Sequence, residues 1–399
     1  MKDLILKNGI ILTPFDELKN KALFLKGGKV YKLISEAEYK HLENDYLDNY
    51  EIIDAKGNYI SPGFIDIHIH GANNADAVRD SVEPMADFLI KYGVTGFLPT
   101  LWTAEFENMV KACKRISNFI KDQKRGAKVL GINSEGPYLN KDYGAQRPEL
   151  VKMPEFKDYS RLVEASDGNL RIMTVAPELD NAYELIKYLR QNNIAISIGH
   201  TDIKLDKLHE ALNLGISLIT HIFNAMGGVI ITEKGVKPIS IQEELLICDD
   251  LMSEVMCDKN AVHVNKTLLR ILIRCKGIKN IILITDSMNM TGSPPGRYYL
   301  QDGRGVILKN GEDIIRLEDG PLAGSVMTMN NAIHNMISHS GISLKDAVMM
   351  ATSNPAKLLK LSYRKGEIKE GMDADIAVFD NLMDIKLTIV EGEIGYNNL

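Results

Sequence analysis

Ser61-Pro62-Gly63-Phe64-Ile65-Asp66-Ile67-His68-Ile69-His70-Gly71 is an apolar run with a period of two, closed by two histidines one residue apart. Side chains i and i+2 of a strand point to the same face, so His68 and His70 project from one side. Imidazole nitrogens suit Zn, Fe or Ni; for either histidine alone, a hydrogen-bonded structural role is the competing explanation. The run also marks a change of rhythm. Before it, the chain reads as short strands at 4–6, 10–12, 22–25, 30–33 and 52–54, punctuated by Asn8-Gly9, Gly27-Gly28 and Lys56-Gly57. The polar stretch 35–49 is expected as helix or loop between two of them.

After it, apolar strand candidates at 96–100, 128–134, 171–176, 195–199, 217–220, 254–257 and 281–285 alternate with amphipathic stretches such as 106–121, 181–191, 205–214 and 266–276. With 59–69 these make eight strands, and eight strands alternating with helices predict a closed parallel (β/α)8 barrel. Strand texture returns at 366–368, 374–379 and 385–392, so the two termini are expected to build one small β-sandwich domain. The expected division is 1–58 and 366–399 for that domain, and 59–365 for the catalytic barrel.

Active sites of such barrels lie at the carboxyl ends of the strands. Reading those ends in order gives His68 and His70, then Glu135, His200, His221 and Asp286. All are metal-competent residue types, and each comes at or just after the end of its apolar run. The set suits one or two divalent cations in a shared cup, with Glu135 able to bridge them. His200 and His221 would complete one site, and His68 with His70 the other. Zn, Fe, Mn and Co all accept such donors. A catalytic metal keeps a position open for water, which places Asp286 to accept that water's proton and return it to a leaving group. Asp66 is expected to orient a ligand from behind.

The bulk properties narrow the chemistry. The chain has 399 residues, 45% hydrophobic and 25% charged, with 47 Lys and Arg against 53 Asp and Glu, a net charge of −6. Without a basic cluster interleaved with aromatics, neither nucleic acid nor an anionic membrane is expected as a partner. Cys113, Cys248, Cys257 and Cys275 form no C-x-x-C pair and suggest no disulfide framework or zinc ribbon. The first residues lack the apolar core of a signal peptide, and no run is long enough to cross a bilayer. A cytoplasmic protein is expected.

The Pro62–His70 opening resembles the amidohydrolase superfamily. The finer resemblance, covering nearly the whole chain in order, is to the N-acetylglucosamine-6-phosphate deacetylase family. It rests on Glu135-Gly136-Pro137-Tyr138-Leu139-Asn140, Ser197-Ile198-Gly199-His200-Thr201, Thr220-His221-Ile222-Phe223-Asn224-Ala225-Met226, Thr285-Asp286-Ser287-Met288, Leu322-Ala323-Gly324-Ser325 and Asn354-Pro355-Ala356. The resemblance implies metal-dependent hydrolysis of an acetamide on a small amino-sugar phosphate. Glu135, His200 and His221 would be metal ligands and Asp286 the catalytic acid and base. Ala145, Asn224, Ala225, His263 and Leu322-Ala323-Gly324 would contact the sugar. A homodimer is also implied, with a phosphate contact reaching across from the neighbouring subunit.

Three departures accompany the likeness. Where the family carries an Arg-Glu-Pro-Gly segment whose arginine holds the 6-phosphate, this chain has Thr232-Glu233-Lys234-Gly235. An arginine fork suits phosphate far better than threonine; Lys234 or Lys237 is the candidate replacement. Gln146 stands where the family often has histidine. His263 follows Asp258 by five residues rather than three. Among lesser signals, Met327, Met329 and Met336 read as core packing, and Glu178 as a second-layer residue or a loop cap. The competing functions are another reaction on the same metal cup, such as opening of a cyclic amide or deamination, and a metal- or sugar-binding barrel without catalysis.

Overall fold

The computed structural model describes residues 2–227, 229, 233–300 and 302–399. At its centre is a ring of parallel strands: β1 (Phe64–Ile69), β2 (Val94–Leu101), β3 (Ile132–Glu135), β4 (Leu170–Val175), β5 (Ala195–Ile198), β6 (Leu218–Ile219), β7 (Met252–Val255) and β8 (Ile281–Leu283). β1 pairs with β2, and the ladder continues in chain order to β8. Every residue of β1 and β2 is buried, as expected for parallel strands covered on both faces. The expected strand at 128–134 is broken at Gly131: Lys128–Val129 pairs with β2 first, and β3 resumes the ladder beyond it.

The helices turn one stripe inward. Phe106–Asp122 buries Met109, Val110, Ala112, Cys113, Ile116 and Ser117, the spacing of a single helical face. The nearly closed barrel is sealed between β8 and β1. There the Asp286 N–H donates to the His68 carbonyl at 2.9 Å, and the Thr285 hydroxyl donates to Asp66 Oδ2 at 2.6 Å. Asp66 Oδ1 accepts the His68 N–H at 3.3 Å. Asp66 thus ties the seam through backbone and hydroxyl, and it contacts no ligand ring. Burial pushes its carboxyl up to about 7, against the lowering effect of Thr285.

The terminal strands form a separate eight-stranded sheet, in which Asp3–Leu12 pairs with Glu17–Lys26, Tyr50–Asp54 and Tyr59–Pro62. Tyr59–Pro62 also pairs antiparallel with Ile376–Phe379, joining the two ends of the chain. The strand expected over 59–69 is therefore two strands in two sheets. The chain changes sheet at Gly63, whose N–H bonds to Asp375 O while that of Phe64 bonds to Gly93 O. Alternate residues such as Leu4, Leu6, Leu23, Ile60, Ile376 and Leu387 share one apolar cluster. Residues 366–368 are irregular rather than strand, and 35–49 holds the short helices Glu36–Lys40 and Asn44–Leu47.

One element is unanticipated. After β8, Gly296–Tyr299, Gly305–Leu308, Ile314–Leu317 and Leu322–Ser325 make a four-stranded antiparallel sheet. Its apolar face (Val306, Leu308, Ile315, Leu317, Ala323) packs on Met288, Met290 and Leu300, with Trp102 and Ala145 against the cluster. This places Leu322-Ala323-Gly324 over the mouth of the barrel. Met327, Met329 and Met336 are buried in the barrel core. No helix among the described residues is long and apolar enough to cross a membrane.

Candidate active site

The five chemistry-bearing strand ends converge. His68 and His70 come from β1, Glu135 ends β3, His200 and His221 follow β5 and β6, and Asp286 follows β8. His200, His221 and Asp286 have φ of 48°, 25° and 49°. This is an unfavourable region for side-chain-bearing residues, and such strain clusters where a surrounding fold over-determines a functional turn.

Glu135 Oε1 lies 2.9 Å from His200 Nε2 and 2.8 Å from His221 Nε2, and those two nitrogens are 3.1 Å apart. Glu135 Oε2 lies 3.2 Å from His70 Nε2, which is 3.0 Å from Asp286 Oδ1. His68 Nε2 stands 3.6 Å from Glu135 and 3.7 Å from Asp286 and has no hydrogen-bond partner. Two triplets, His68–His70–Glu135 and Glu135–His200–His221, have ligand atoms mutually within 4.8 Å and share Glu135.

The outer ring nitrogens set the inner ones. His70 Nδ1 donates to Thr100 O at 3.1 Å and His200 Nδ1 to Tyr143 O at 2.9 Å. His68 Nδ1 donates to Glu254 Oε2 at 2.9 Å. Each bond leaves an Nε2 lone pair facing inward, the arrangement that orients metal-binding histidines. His200 Nε2 and His221 Nε2 face each other 3.1 Å apart with Glu135 Oε1 within 2.9 Å of both, a cluster that a cation or shared protons would satisfy. Zn–N distances of about 2.0–2.1 Å in tetrahedral geometry give N···N separations near 3.3 Å, close to the observed spacing. The donor set fits a divalent metal.

Charge agrees with geometry. Burial disfavours the imidazolium of His68, yet Glu254 and Glu135 outweigh it and hold the ring well above the ordinary histidine range. His70 stands at about 9, with burial again opposed by Asp286 and Glu135. Burial would raise Glu135 and Asp286, but the neighbouring imidazoles keep both below the usual carboxylate range. The cluster therefore draws positive charge, as protons on the rings or as a cation among them.

A cavity of about 430 Å³ opens onto this cup. It is lined by His70, Glu135, His200, His221 and Asp286 together with Ala145, Asn224, Ala225, His263, Leu322, Ala323 and Gly324. Gly144 makes the close approach possible, since a Cβ there would lie 2.3 Å from His200 Nδ1. Asp258 accepts backbone N–H bonds from Asn260, Val262 and His263, which absorbs the longer spacing between the aspartate and the histidine. Those bonds and the His263 ring hold Asp258 at about 2 although burial raises it. His263 Nδ1 lies 3.3 Å from Asp258 Oδ2. His263 Nε2, Asn224 Oδ1, Gln146 Oε1 and Trp102 Nε1 are buried, line the cavity and lack partners.

His68 belongs to the cup and is fully buried behind the cavity wall. Lys234 is exposed and does not line the cavity, and Lys237 pairs with Glu243 at 2.7 Å, on a stretch whose polar side chains face solvent. Thr232 lies outside the described residues. Glu178 caps loops, taking bonds from Asn140, Thr201 and the Asp202 N–H. Glu254, Trp102 and Arg304 are site residues the sequence reading missed. Glu254 bonds both the His68 ring and the His221 N–H, at 3.2 Å for the latter. Its only signal was a charge inside the apolar strand Met252–Val255.

The family model for the amidohydrolase family matches residues 59–395. An N-acetylglucosamine-6-phosphate deacetylase of Lysinibacillus sphaericus is 31% identical over 395 residues, covering 98% of this chain and 97% of its own length. An N-acetylgalactosamine-6-phosphate deacetylase of Escherichia coli O157:H7 is 30% identical over 339 residues, covering 84% of this chain and 87% of its own. The crystal structure of the N-acetylglucosamine-6-phosphate deacetylase from Pasteurella multocida matches with a TM-score of 0.87 at 25% identity, over 98% of this chain and 99% of that one.

Proposed function

The chain belongs to the amidohydrolase family, and on that premise we propose that it hydrolyses the acetamide of an N-acetylhexosamine 6-phosphate, foremost N-acetylglucosamine 6-phosphate, releasing acetate and the amino sugar phosphate. The observation that carries the reading is Glu135 Oε1 within 2.9 Å of two facing imidazole nitrogens, with Asp286 on the open side of the same cup. The relatives named for deacetylation of two epimeric hexosamine phosphates support the substrate class.

Glu135, His200 and His221 would hold one divalent cation, and His68 and His70 with Glu135 a second. When bound, the metal supplies Lewis acidity and lowers the pKa of water toward about 7. Asp286, ionised at neutral pH, takes the proton of the attacking water at its carboxylate and returns it to the departing nitrogen. The His263 ring, its Nδ1–H directed at Asp258, presents an Nε2 lone pair and accepts a sugar hydroxyl. Asn224 Oδ1 accepts a second hydroxyl, and the Ala145 and Leu322–Gly324 segments enclose the ring. The four-stranded sheet above them keeps bulk water from the reacting carbonyl.

The reading includes a homodimer in the cytoplasm. Exposed apolar side chains at Val229, Val236, Ile239 and Ile247, on the stretch after Met226, support a surface covered by a second copy. The substrate assignment is tested by measuring acetate release from N-acetylglucosamine and N-acetylgalactosamine 6-phosphates beside ring opening of cyclic amides. Turnover is expected on the phosphorylated sugars and none on the cyclic amides. The reverse pattern would transfer the cup to a different hydrolysis.

A further inference from the structure

We infer that Arg304 is the anion-recognition residue of this cavity and that it holds the 6-phosphate from within the same chain. The inference rests on the sugar-phosphate reading above and names the residue that performs the recognition. Among the described lining residues, Arg304 is the sole lysine or arginine. The other charged groups of the cavity, Glu135, Asp286 and the histidines, belong to the metal cup or face the sugar. Away from the metal cup, Arg304, itself paired with Asp302, is therefore the one lysine or arginine that an anionic substituent meets among the described lining residues.

The guanidinium is held ready. Asp302 Oδ2 accepts from Arg304 Nε at 2.7 Å and lies 2.6 Å from Nη2, and Nη2 also donates to Ala145 O at 2.7 Å. The Arg304 backbone closes a turn, its carbonyl accepting from Leu300 N–H and its own N–H donating to Asp302 Oδ1. Nη1 has no hydrogen-bond partner among the described residues. A side chain already fixed through Nε and Nη2, with the two donors of Nη1 free, loses little conformational entropy on binding.

The position fits one hexose phosphate. Arg304 rests on Ala145, and Tyr143, two residues earlier, holds His200 of the cup. Arg304 and the cup thus stand on one loop's anchors and line one cavity. The unpartnered Gln146 Oε1 and Trp102 Nε1 line the same cavity. The family arginine is replaced at Thr232, and Lys234 is exposed outside the cavity. Recognition of the phosphate has moved from that loop to the hairpin after Tyr299.

The test compares N-acetylglucosamine 6-phosphate with unphosphorylated N-acetylglucosamine in wild type, Arg304→Gln and Arg304→Lys. Loss of a charge-assisted bond predicts a KM for the phosphorylated sugar raised roughly 10- to 100-fold in Arg304→Gln. The kcat should stay within about twofold, because Arg304 does not touch the reacting carbonyl, and the unphosphorylated sugar should lose far less than the phosphorylated one, its share being the loosened Ala145 contact. Arg304→Lys, a point charge, should recover part of the loss. A phosphate preference that survives Arg304→Gln overturns the inference and leaves the sugar-phosphate reading intact. Equal losses on both sugars also overturn it, reducing Arg304 to a staple between the hairpin and Ala145. Absence of any phosphate preference in the wild type overturns the sugar-phosphate reading itself, before any variant is made. Should Arg304→Gln not fold, an unchanged preference in Arg304→Lys, whose ammonium cannot keep the Asp302 and Ala145 bonds and also reach the ligand, overturns the inference, and a reduced one supports it.

Discussion

Replacing Asp286 by asparagine is expected to lower kcat by about 10²- to 10⁴-fold, the range of a lost general base, while the protein folds and keeps its metal. The carboxamide has the same shape but cannot take the proton of the attacking water. Asp286 occupies a φ of 49°, a region in which asparagine is better tolerated than most residues, so the strand-to-loop turn should survive. The loss also separates two roles. Asp286 Oδ1 lies 3.0 Å from His70 Nε2, near enough to share a cation. If it served only as a ligand, excess metal would restore turnover; if it carries the proton, saturating metal leaves the defect. The checks are steady-state acetate release at several metal concentrations and elemental analysis of the variant. Undiminished turnover would remove Asp286 from the mechanism.

Glu135→Gln should act earlier, on the metal itself. Glu135 is the one carboxylate common to both candidate ligand triplets, and its Oε1 faces two imidazole nitrogens at 2.8 and 2.9 Å. Neutralising it removes the charge that holds a cation between those rings and leaves an amide hydrogen directed at lone pairs. Mutation of residues that merely orient ligands costs 10- to 100-fold in metal affinity, so removal of this ligand should cost at least about 100-fold. After dialysis the variant is expected to hold less than one metal per chain and to show little activity, with partial recovery in excess metal. A full metal complement in Glu135→Gln would take Glu135 out of the ligand set.

The barrel and its cup were readable because each functional residue closes its own apolar run. His68, Glu135, His200, His221 and Asp286 are local in sequence to the strands that carry them. What escaped the reading depends on long-range partners. The split at Gly63 follows from a bond to Asp375, more than three hundred residues away. Glu254 looks like a lone charge in an apolar strand until His68 is brought to it across the barrel. Asp66, two residues before His68, was expected to orient a ligand from behind; it accepts the His68 N–H and, through the Thr285 hydroxyl, also ties the seam between β8 and β1. The four-stranded sheet did leave a local trace. Asp302-Gly303, Asn310-Gly311 and Asp319-Gly320 punctuate its short strands, and such pairs are strong hairpin turns. Reading them would have placed Arg304 on a hairpin, though not over Ala145. The phosphate segment around Thr232 was approached only through resemblance, and Lys234 is solvent-facing here.

The claim that joins these observations is a metal-dependent cup that cleaves an acetamide from a phosphorylated amino sugar. Acetate release from N-acetylglucosamine 6-phosphate tests it most directly, followed on purified protein as isolated, after chelation and after reloading with a divalent metal. Acetate and glucosamine 6-phosphate should appear in equal amounts, cease on chelation and return on reloading. Acetate release that persists with metal analytically absent, or no release from the fully loaded protein, would contradict the account.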